Sequence, residues 1–492
     1  MGSRSRRKNR PSSSQLNARI WVQVGGVGPG NPMQFLSEGD GQLRAGAFSQ
    51  PIEGAETQWR PSDTERYKFQ PLGRTSTTPD QSTITLTQDL TRDALNMLEQ
   101  AIEDDLDLGV HVLFANGAPG DRNNWDSKSV LPYGEPTSLG LNDLQGESTD
   151  DVHVWTSDIQ FDQYADRAIA VAWAAKIAAT VTEPVAGVAF GKNRRTQYAV
   201  QNSDGVSAVP ILFYTTDNWA TVTSVNISAL AGDGTEEPND LARAGRFLII
   251  PTEADSYVYF NEDDLSVPTE VASGFVASKT PNAVYAPSVA AIFMVGDGGY
   301  IYKLENPGDA VAVLDAGVTT TNDLLAVDGI GQTLVAVGAS DTILVSNDYG
   351  VSWSTVTAPT SAASIKTVQV VDEGIWLIGA DDGKLYYTTD AGQNWSEKGF
   401  PGSGSGSVDV LHFYKQNPAF GLLAHGSGSA LTVYRTTDGG YSWEQSSLTN
   451  MPAGQAVNAF AMYDPNTMLA GGIGTGGTDG VLALAKGRRY DD

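Results

Sequence analysis

An eight-residue turn is written three times toward the C-terminal end of this chain of 492 residues, and it constrains the fold more than any other stretch. It reads Ser346-Asn347-Asp348-Tyr349-Gly350-Val351-Ser352-Trp353, then Thr388-Thr389-Asp390-Ala391-Gly392-Gln393-Asn394-Trp395, then Thr436-Thr437-Asp438-Gly439-Gly440-Tyr441-Ser442-Trp443. The shared skeleton is a hydroxyl residue, then Asp, Gly, a small polar residue and Trp at fixed offsets. An Asp carboxylate accepts hydrogen bonds from backbone N–H groups just ahead of it, which closes a turn without outside help. Gly supplies a positive φ where a side chain would clash. Trp opens the next strand, burying a large apolar surface while its N–H keeps one polar contact. Strand-like stretches precede the copies at Thr342–Val345, Leu385–Tyr387 and Leu431–Tyr434. Each unit is therefore a hairpin with a stapled turn.

The skeleton residues Ser346, Asp348, Gly350 and Trp353, with Thr388, Asp390, Gly392 and Trp395 and with Thr436, Asp438, Gly440 and Trp443, resemble the Asp-box (BNR) repeat. That repeat belongs to sialidase-like β-propellers and occurs in sortilin-type receptors and photosystem assembly factors. The resemblance implies structural staples on the blade periphery, away from any central site, and assigns them no catalysis. The spacing agrees: Asp348 to Asp390 is 42 residues and Asp390 to Asp438 is 48, the length of one four-stranded blade. Seven units can be counted, starting near Val185, Leu241, Ala283, Asp323, Ile365, Val408 and Ala456. Earlier units are degenerate. Tyr214-Thr215-Thr216-Asp217-Asn218-Trp219 keeps the Asp and Trp but drops the Gly spacer, and Gly296-Asp297-Gly298-Gly299 keeps only a turn before Tyr300–Lys303. The last unit, Met468 to Lys486, shows two strands and stops, so Ala168–Val181 is expected to supply the strand that closes the ring.

Upstream of the repeats the chain changes character. Met1 to Gln15 is a basic, Ser-rich arm carrying Arg4, Arg6, Arg7, Lys8 and Arg10. Strands are expected at Arg19–Gly25, Arg66–Gln70, Ser82–Thr87, Gly109–Ala115 and Val152–Phe161. Leu90 to Asp104 puts Ala94, Leu95, Leu98, Ala101 and Ile102 on one helical stripe. Asn116 to Asp150 reads as a long polar loop bearing Trp125. The Gly25–Pro32 turn lacks the Lys-Ser/Thr of a phosphate loop. The expected fold is therefore mainly β: a basic arm (1–15), an α+β domain (16–180) built as a β-sandwich with one helix, and a seven-bladed propeller (181–492). The element order of the middle domain resembles tail-tube proteins of long-tailed phages.

Composition narrows the function. The chain has no Cys and four His, so no thiolate metal site and no metal or cofactor is expected. The acidic runs Glu103-Asp104-Asp105 and Glu262-Asp263-Asp264 lack the alternating ligands and Gly of a calcium loop. The net charge of −27 disfavours a DNA-binding surface and suits either solubility or a lumen through which DNA is only passing cargo. No stretch approaches the roughly 20 apolar residues of a membrane span, so no membrane partner is expected, and the N-terminus lacks a secretory core. An early Arg-Ile-Pro signature, as sialidases carry, is absent, and Arg194-Arg195 reads equally as a turn or an anion site. No catalytic residue is assigned.

The main expectation is thus a bacteriophage virion structural protein, a tail-tube subunit located in the virion. It would pair with itself in a ring or tube through the arm and Trp125, touch other virion proteins, and display its propeller to a host-surface ligand. The alternative is a free-standing protein-binding propeller of the photosystem-assembly-factor type, extracellular or periplasmic. A sialidase-like glycoside hydrolase is the third reading.

Overall fold

From Val185 onward, short runs of Val, Ile, Leu and aromatic residues alternate with Gly- and Asp-containing turns, the pattern of antiparallel strands joined by tight hairpins. The computed structural model describes residues 18–31, 33–35, 48–49, 82–88, 101–104, 106–114, 127–142, 154–161, 166–169, 171–176 and 181–487, the last except 203–209, 228–236, 360–362, 405, 428–429, 447–453 and 475–479. It divides into two units, residues 1–170 with 488–492, and residues 171–487.

The first unit contains β1 (Ala18–Val24), β2 (Met33–Phe35), β3 (Phe48–Ser49), β4 (Ser82–Gln88), β5 (Leu108–Phe114), β6 (Ser127–Asn142), β7 (Val154–Phe161) and β8 (Asp166–Ile169). They form one sheet in the order β2-β1-β5-β6-β7-β4-β3, with β8 also on β6. The 16-residue β6 corrects the expected loop from Asn116 to Asp150. Its first half pairs with β5 and β8 and its second half with β7. The ladder slips between Pro136 and Ser138, where Pro cannot donate. Pro132, Gly134 and Pro136 disguised a central strand as a connection. Of the expected helix, Ala101–Glu103 is described and helical; its remainder, the Arg66–Gln70 strand, the arm from Arg4 to Arg10 and Trp125 lie outside the described residues. The Gly25–Asn31 turn is held by Asn31 Nδ2, which donates to the Gly25 and Gly26 carbonyls at 2.8 and 2.9 Å.

The second unit is a seven-bladed β-propeller, each blade a four-stranded antiparallel sheet. The innermost strands are Val185–Phe190, Ala242–Ala244, Pro281–Ser288, Leu324–Ile330, Ile365–Val370, Ser407–Phe413 and Gly454–Asp464, in blades 1 to 7. Blade 7 takes three strands from the end of the chain and its outermost strand from β9 (Val171–Ala175), which pairs from Ala483↔Ala175 to Gly487↔Val171. The ring therefore closes with the segment read from sequence, and the unit boundary falls at Ala170 and Val171, ahead of residue 181.

Apolar clusters fill all seven seams between consecutive blades. Leu212 and Leu248 join blades 1 and 2, and Ile343 and Ile378 join blades 4 and 5. Phe213 and Trp219 of blade 1 meet Leu469 and Leu482 of blade 7, so the last seam is packed like the others. No blade buries both faces alone, which is why stability in such a ring comes from nearest neighbours.

Candidate functional site: the axial channel and its mouth

The innermost strand of a blade is an edge strand, and its outward N–H and C=O groups need partners. The structure supplies them in two ways. First, six innermost strands carry a one-residue bulge at the same point, at Ala186, Asn282, Leu325, Lys366, Asp409 and Asn458. Blade 2 has the same extra residue between the Pro238↔Thr252 bridge and the Ala242↔Ile249 pair. Bulges re-aim side chains, and here they form a ring lining the channel. Asn239, Asn282 and Asn458 each donate Nδ2 to a carbonyl of the next blade, at Pro281, Leu324 and Val185, all at 3.0 Å. Second, side chains deeper in the channel accept N–H bonds from the next innermost strand. Asp240 Oδ2 takes Val284 N at 3.0 Å, Asp328 Oδ2 takes Val370 N at 2.7 Å, and Gln369 Oε1 takes Phe413 N at 2.7 Å. Burial pushes the Asp240 carboxyl up to about 6, against the two N–H bonds it accepts.

The channel encloses about 530 Å³ and is lined by all seven innermost strands, with small residues such as Ala186, Ala242 and Ala459 between the polar ones. At the end of the innermost strands it opens into a mouth of about 580 Å³. This is also the face of the stapled turns, because Tyr349 N and Ala391 N donate to the neighbouring turn carbonyls of Gln332 and Gly374. The opening is lopsided. Lys415 of blade 6 reaches over blade 5, donating to Asp328 Oδ2 at 2.6 Å, Val370 O at 3.0 Å and Gly329 O at 3.2 Å. Tyr285 donates to the same Gly329 carbonyl at 2.5 Å. Blades 3 to 5 are thus roofed, and the mouth opens over blades 6, 7, 1 and 2.

Around that opening stand Lys192, Arg243, His412 and Tyr463. Lys192 is exposed and has no ion or hydrogen-bond partner among the described residues. Phe190 and Tyr463 pack with ring centroids 5.7 Å apart. Enclosure and the nearby Lys415 charge push His412 down to about 4, leaving a neutral imidazole at physiological pH. Arg243 is committed to Glu262, with Nε and Nη2 each 2.8 Å from a carboxylate oxygen. Tyr198 also donates to Glu262 at 3.1 Å, and burial, with that carboxylate beside it, pushes the phenol pKa up.

The stapled turns lie on the periphery, between the third and fourth strands of blades 4, 5 and 6. In each, the hydroxyl of Ser346, Thr388 or Thr436 donates to the Asp oxygen at 2.8–2.9 Å. The same hydroxyl accepts the N–H of Gly350, Gly392 or Gly440 at 2.8–2.9 Å. The Asp then accepts both the backbone N–H and the side chain of Ser352, Asn394 or Ser442. These bonds, led by the one from the Ser352 side chain, hold Asp348 down to about 2. Trp353 donates Nε1 to Gly350 O at 3.2 Å and packs with Leu314 of blade 3, while Trp395 stands 6.4 Å from Trp376 and Trp443 6.0 Å from Phe413. Trp443 is buried, and Trp353 and Trp395 are half-buried.

Two degenerate copies need correction. In blade 1, Thr215 Oγ1 accepts the N–H of Trp219 at 3.0 Å, the bond Gly350 makes to Ser346. Trp219 has φ +68° and follows Asn218 at φ +61°, as Gly350 at φ +83° follows Tyr349 at φ +62°. Trp219 therefore stands in the Gly position, and the usual Trp position is Val222, 36% exposed. The indole still reaches the seam, from three residues earlier, and packs against blade 7. Gly296–Gly299 is the turn between the second and third strands of blade 3, not a stapled-turn position. Arg194 and Arg195 form a turn whose carbonyls accept Gln197 Nε2 and Asn218 N.

Sequence reading missed the mouth. The one linear signal was the bulge Asn, in Pro238-Asn239 and Pro281-Asn282 at corresponding unit starts.

A family model described as sortilin, neurotensin receptor 3 (Sortilin-Vps10) matches residues 341–451, the stretch holding the three stapled turns. No curated protein matches the chain. Among solved structures, YCF48 bound to D1 peptide superposes with a TM-score of 0.50 at 17% identity, over 65% of this chain and 97% of that one. YCF48 from Cyanidioschyzon merolae gives 0.50 at 16% identity, over 64% and 98%. The WD40 repeats of RRP9 give 0.50 at 10% identity, over 62% and 95%. At these identities the likeness is one of fold, a β-propeller, with the similarity to the sortilin model confined to residues 341–451.

Proposed function

We propose that this chain is a protein-binding propeller that takes a segment of a partner protein into the mouth of its channel. The observation that carries the reading is the lopsided mouth. The exposed, unpaired Lys192, the Phe190–Tyr463 ring pair and the neutral His412 face one open cavity, while the opposite side is roofed by Lys415. Aromatic anchors in a pocket are what interface hot spots are enriched in. The groups suit recognition better than bond cleavage. The Tyr198–Glu262 pair, of a kind a glycosidase would deploy, has its carboxylate held by Arg243 and its phenol made less acidic. A propeller of similar fold solved with a D1 peptide supports the reading. The tail-tube role, which would have the chain assemble through its arm and Trp125, finds no such support in the comparisons.

A random-peptide library panned on the immobilised full chain tests this. Enriched peptides should lose about tenfold or more in affinity on Lys192→Glu or Tyr463→Ala, and be unaffected by Trp353→Ala on the periphery. If nothing is enriched, or the mouth variants bind as the parent does, the proposal fails.

A further inference from the structure

The mouth continues beyond its rim. A second cavity, of about 320 Å³, runs outward between blades 1 and 2, and Lys192 lines both. Its walls are Tyr198 and Tyr214 of blade 1 and the Glu262–Ser266 stretch of blade 2. Gly191 keeps the passage low: a Cβ there would lie 2.6 Å from Thr196 Cγ2 and 3.1 Å from Glu262 Oε1. Glu262 itself is spoken for, its side chain only 7% exposed and bonded by Arg243 and Tyr198. Past this buttress the carboxylates of Asp263 and Asp264 are exposed. Asp263 is 3.6 Å from Arg246, with both side chains more than 60% exposed, a pairing that water largely screens.

Along one path the surface therefore changes sign: a free ammonium at the mouth, the partly exposed Tyr214, then two exposed carboxylates. A segment with charge at only one end would leave half of this path uncompensated. We propose that the bound segment leaves the mouth in extended form through the groove between blades 1 and 2. Its acidic group lies against Lys192 and its basic side chain against Asp263 and Asp264. This rests on the mouth being the binding site, and it adds the exit route and the charge order of the ligand.

The test uses peptides enriched on the full chain and two sets of variants. Asp263→Lys combined with Asp264→Asn reverses the groove while leaving an acceptor for the Ser266 N–H and hydroxyl that Asp264 now holds. Enriched peptides should carry an acidic and, further along, a basic residue, and the groove variant should weaken them roughly three- to tenfold, with the loss shrinking as salt is raised. Exchanging the basic residue for Glu in the same peptide should restore binding to the groove variant. If Lys192→Glu weakens the peptides but the groove variant does not, the exit route is wrong and the mouth reading stands. If no peptide is enriched, both fall. Circular dichroism of each variant separates loss of binding from loss of fold.

Discussion

Replacing Trp173 with Ala should open the propeller at blade 7. The closing strand Val171–Ala175 has a single neighbour in its sheet, Gly480–Gly487. Trp173 is 1% exposed and is the strand's buried anchor among its described side chains. It packs with Leu422 and Val433 of blade 6 and with Phe460 and Ala483 of blade 7, and Nε1 donates to Ser446 Oγ at 2.9 Å. Truncating a fully buried Trp to Ala costs about 3–5 kcal/mol through lost transfer energy and the cavity left behind. The lost hydrogen bond adds about 1 kcal/mol. Against a total stability of about 5–15 kcal/mol, that is enough to free the strand. The assay is urea unfolding followed by far-UV circular dichroism, because the substitution removes a fluorophore, together with amide exchange across 480–487. The comparison is Trp353→Ala, which takes a half-buried indole from a seam that needs no closing strand. Trp173→Ala should lower the midpoint further and speed exchange at 480–487 selectively. A loss equal to or smaller than that of Trp353→Ala, with exchange at 480–487 unchanged, would refute the view that this strand locks the ring.

Two further outcomes follow from the same geometry. Trp219→Gly relieves a left-handed Trp, a gain of about 1–2 kcal/mol, but removes an indole 7% exposed in the seam between blades 1 and 7; burial outweighs strain, and thermal unfolding should show a net loss of about 1–3 kcal/mol. Asp240 has its folded pKa raised from 3.8 to about 6, so the folded state holds the extra proton and stability from this group grows as pH falls from above 6 toward 4. The parent should gain about 2–3 kcal/mol on Asp240→Asn over that range, and parallel denaturation series at the two pH values check the sign.

What was legible in the sequence was whatever is encoded within a few residues. Asp348, Gly350 and Trp353 announce a turn by themselves, because the bonds that close it lie within the stretch from Ser346 to Ser352. Repetition of that turn then gave the blade length, and the unit starts gave seven. Blade 1 shows the limit of the method. Aligned on its Trp, Thr215–Trp219 lacks a spacer; aligned on the hydroxyl and Asp, it keeps every bond and moves the indole to the Gly position. The hydrogen bonds were the invariant, and the Trp was free to arrive from either place so long as it filled the seam. Strand β6 failed for a related reason: Pro132, Gly134 and Pro136 are turn signals locally, and the pairing with β5 and β7 that overrides them is non-local.

The mouth was illegible because its lining comes from the two opposite ends of the propeller sequence, blades 1 and 2 and blades 6 and 7. Lys192 and Tyr463 are 271 residues apart and meet only because blade 7 closes against blade 1. The repeats fix where each innermost strand ends, and so which positions can reach the axis; they leave the identity of those residues free. This freedom explains the lopsided opening. Blades 3 to 5 spend their axial positions on Tyr285, Asp328 and Gln369, which satisfy the neighbouring innermost strands and anchor Lys415. Blades 2 and 7 also bond the next blade in the channel, through Asp240 and Asn458, but at the rim Lys192 of blade 1 and Tyr463 of blade 7 face the open mouth. At the rim, Lys415 closes blades 3 to 5 while Lys192 stays without a partner among the described residues, so the open side is where a ligand has room to bind.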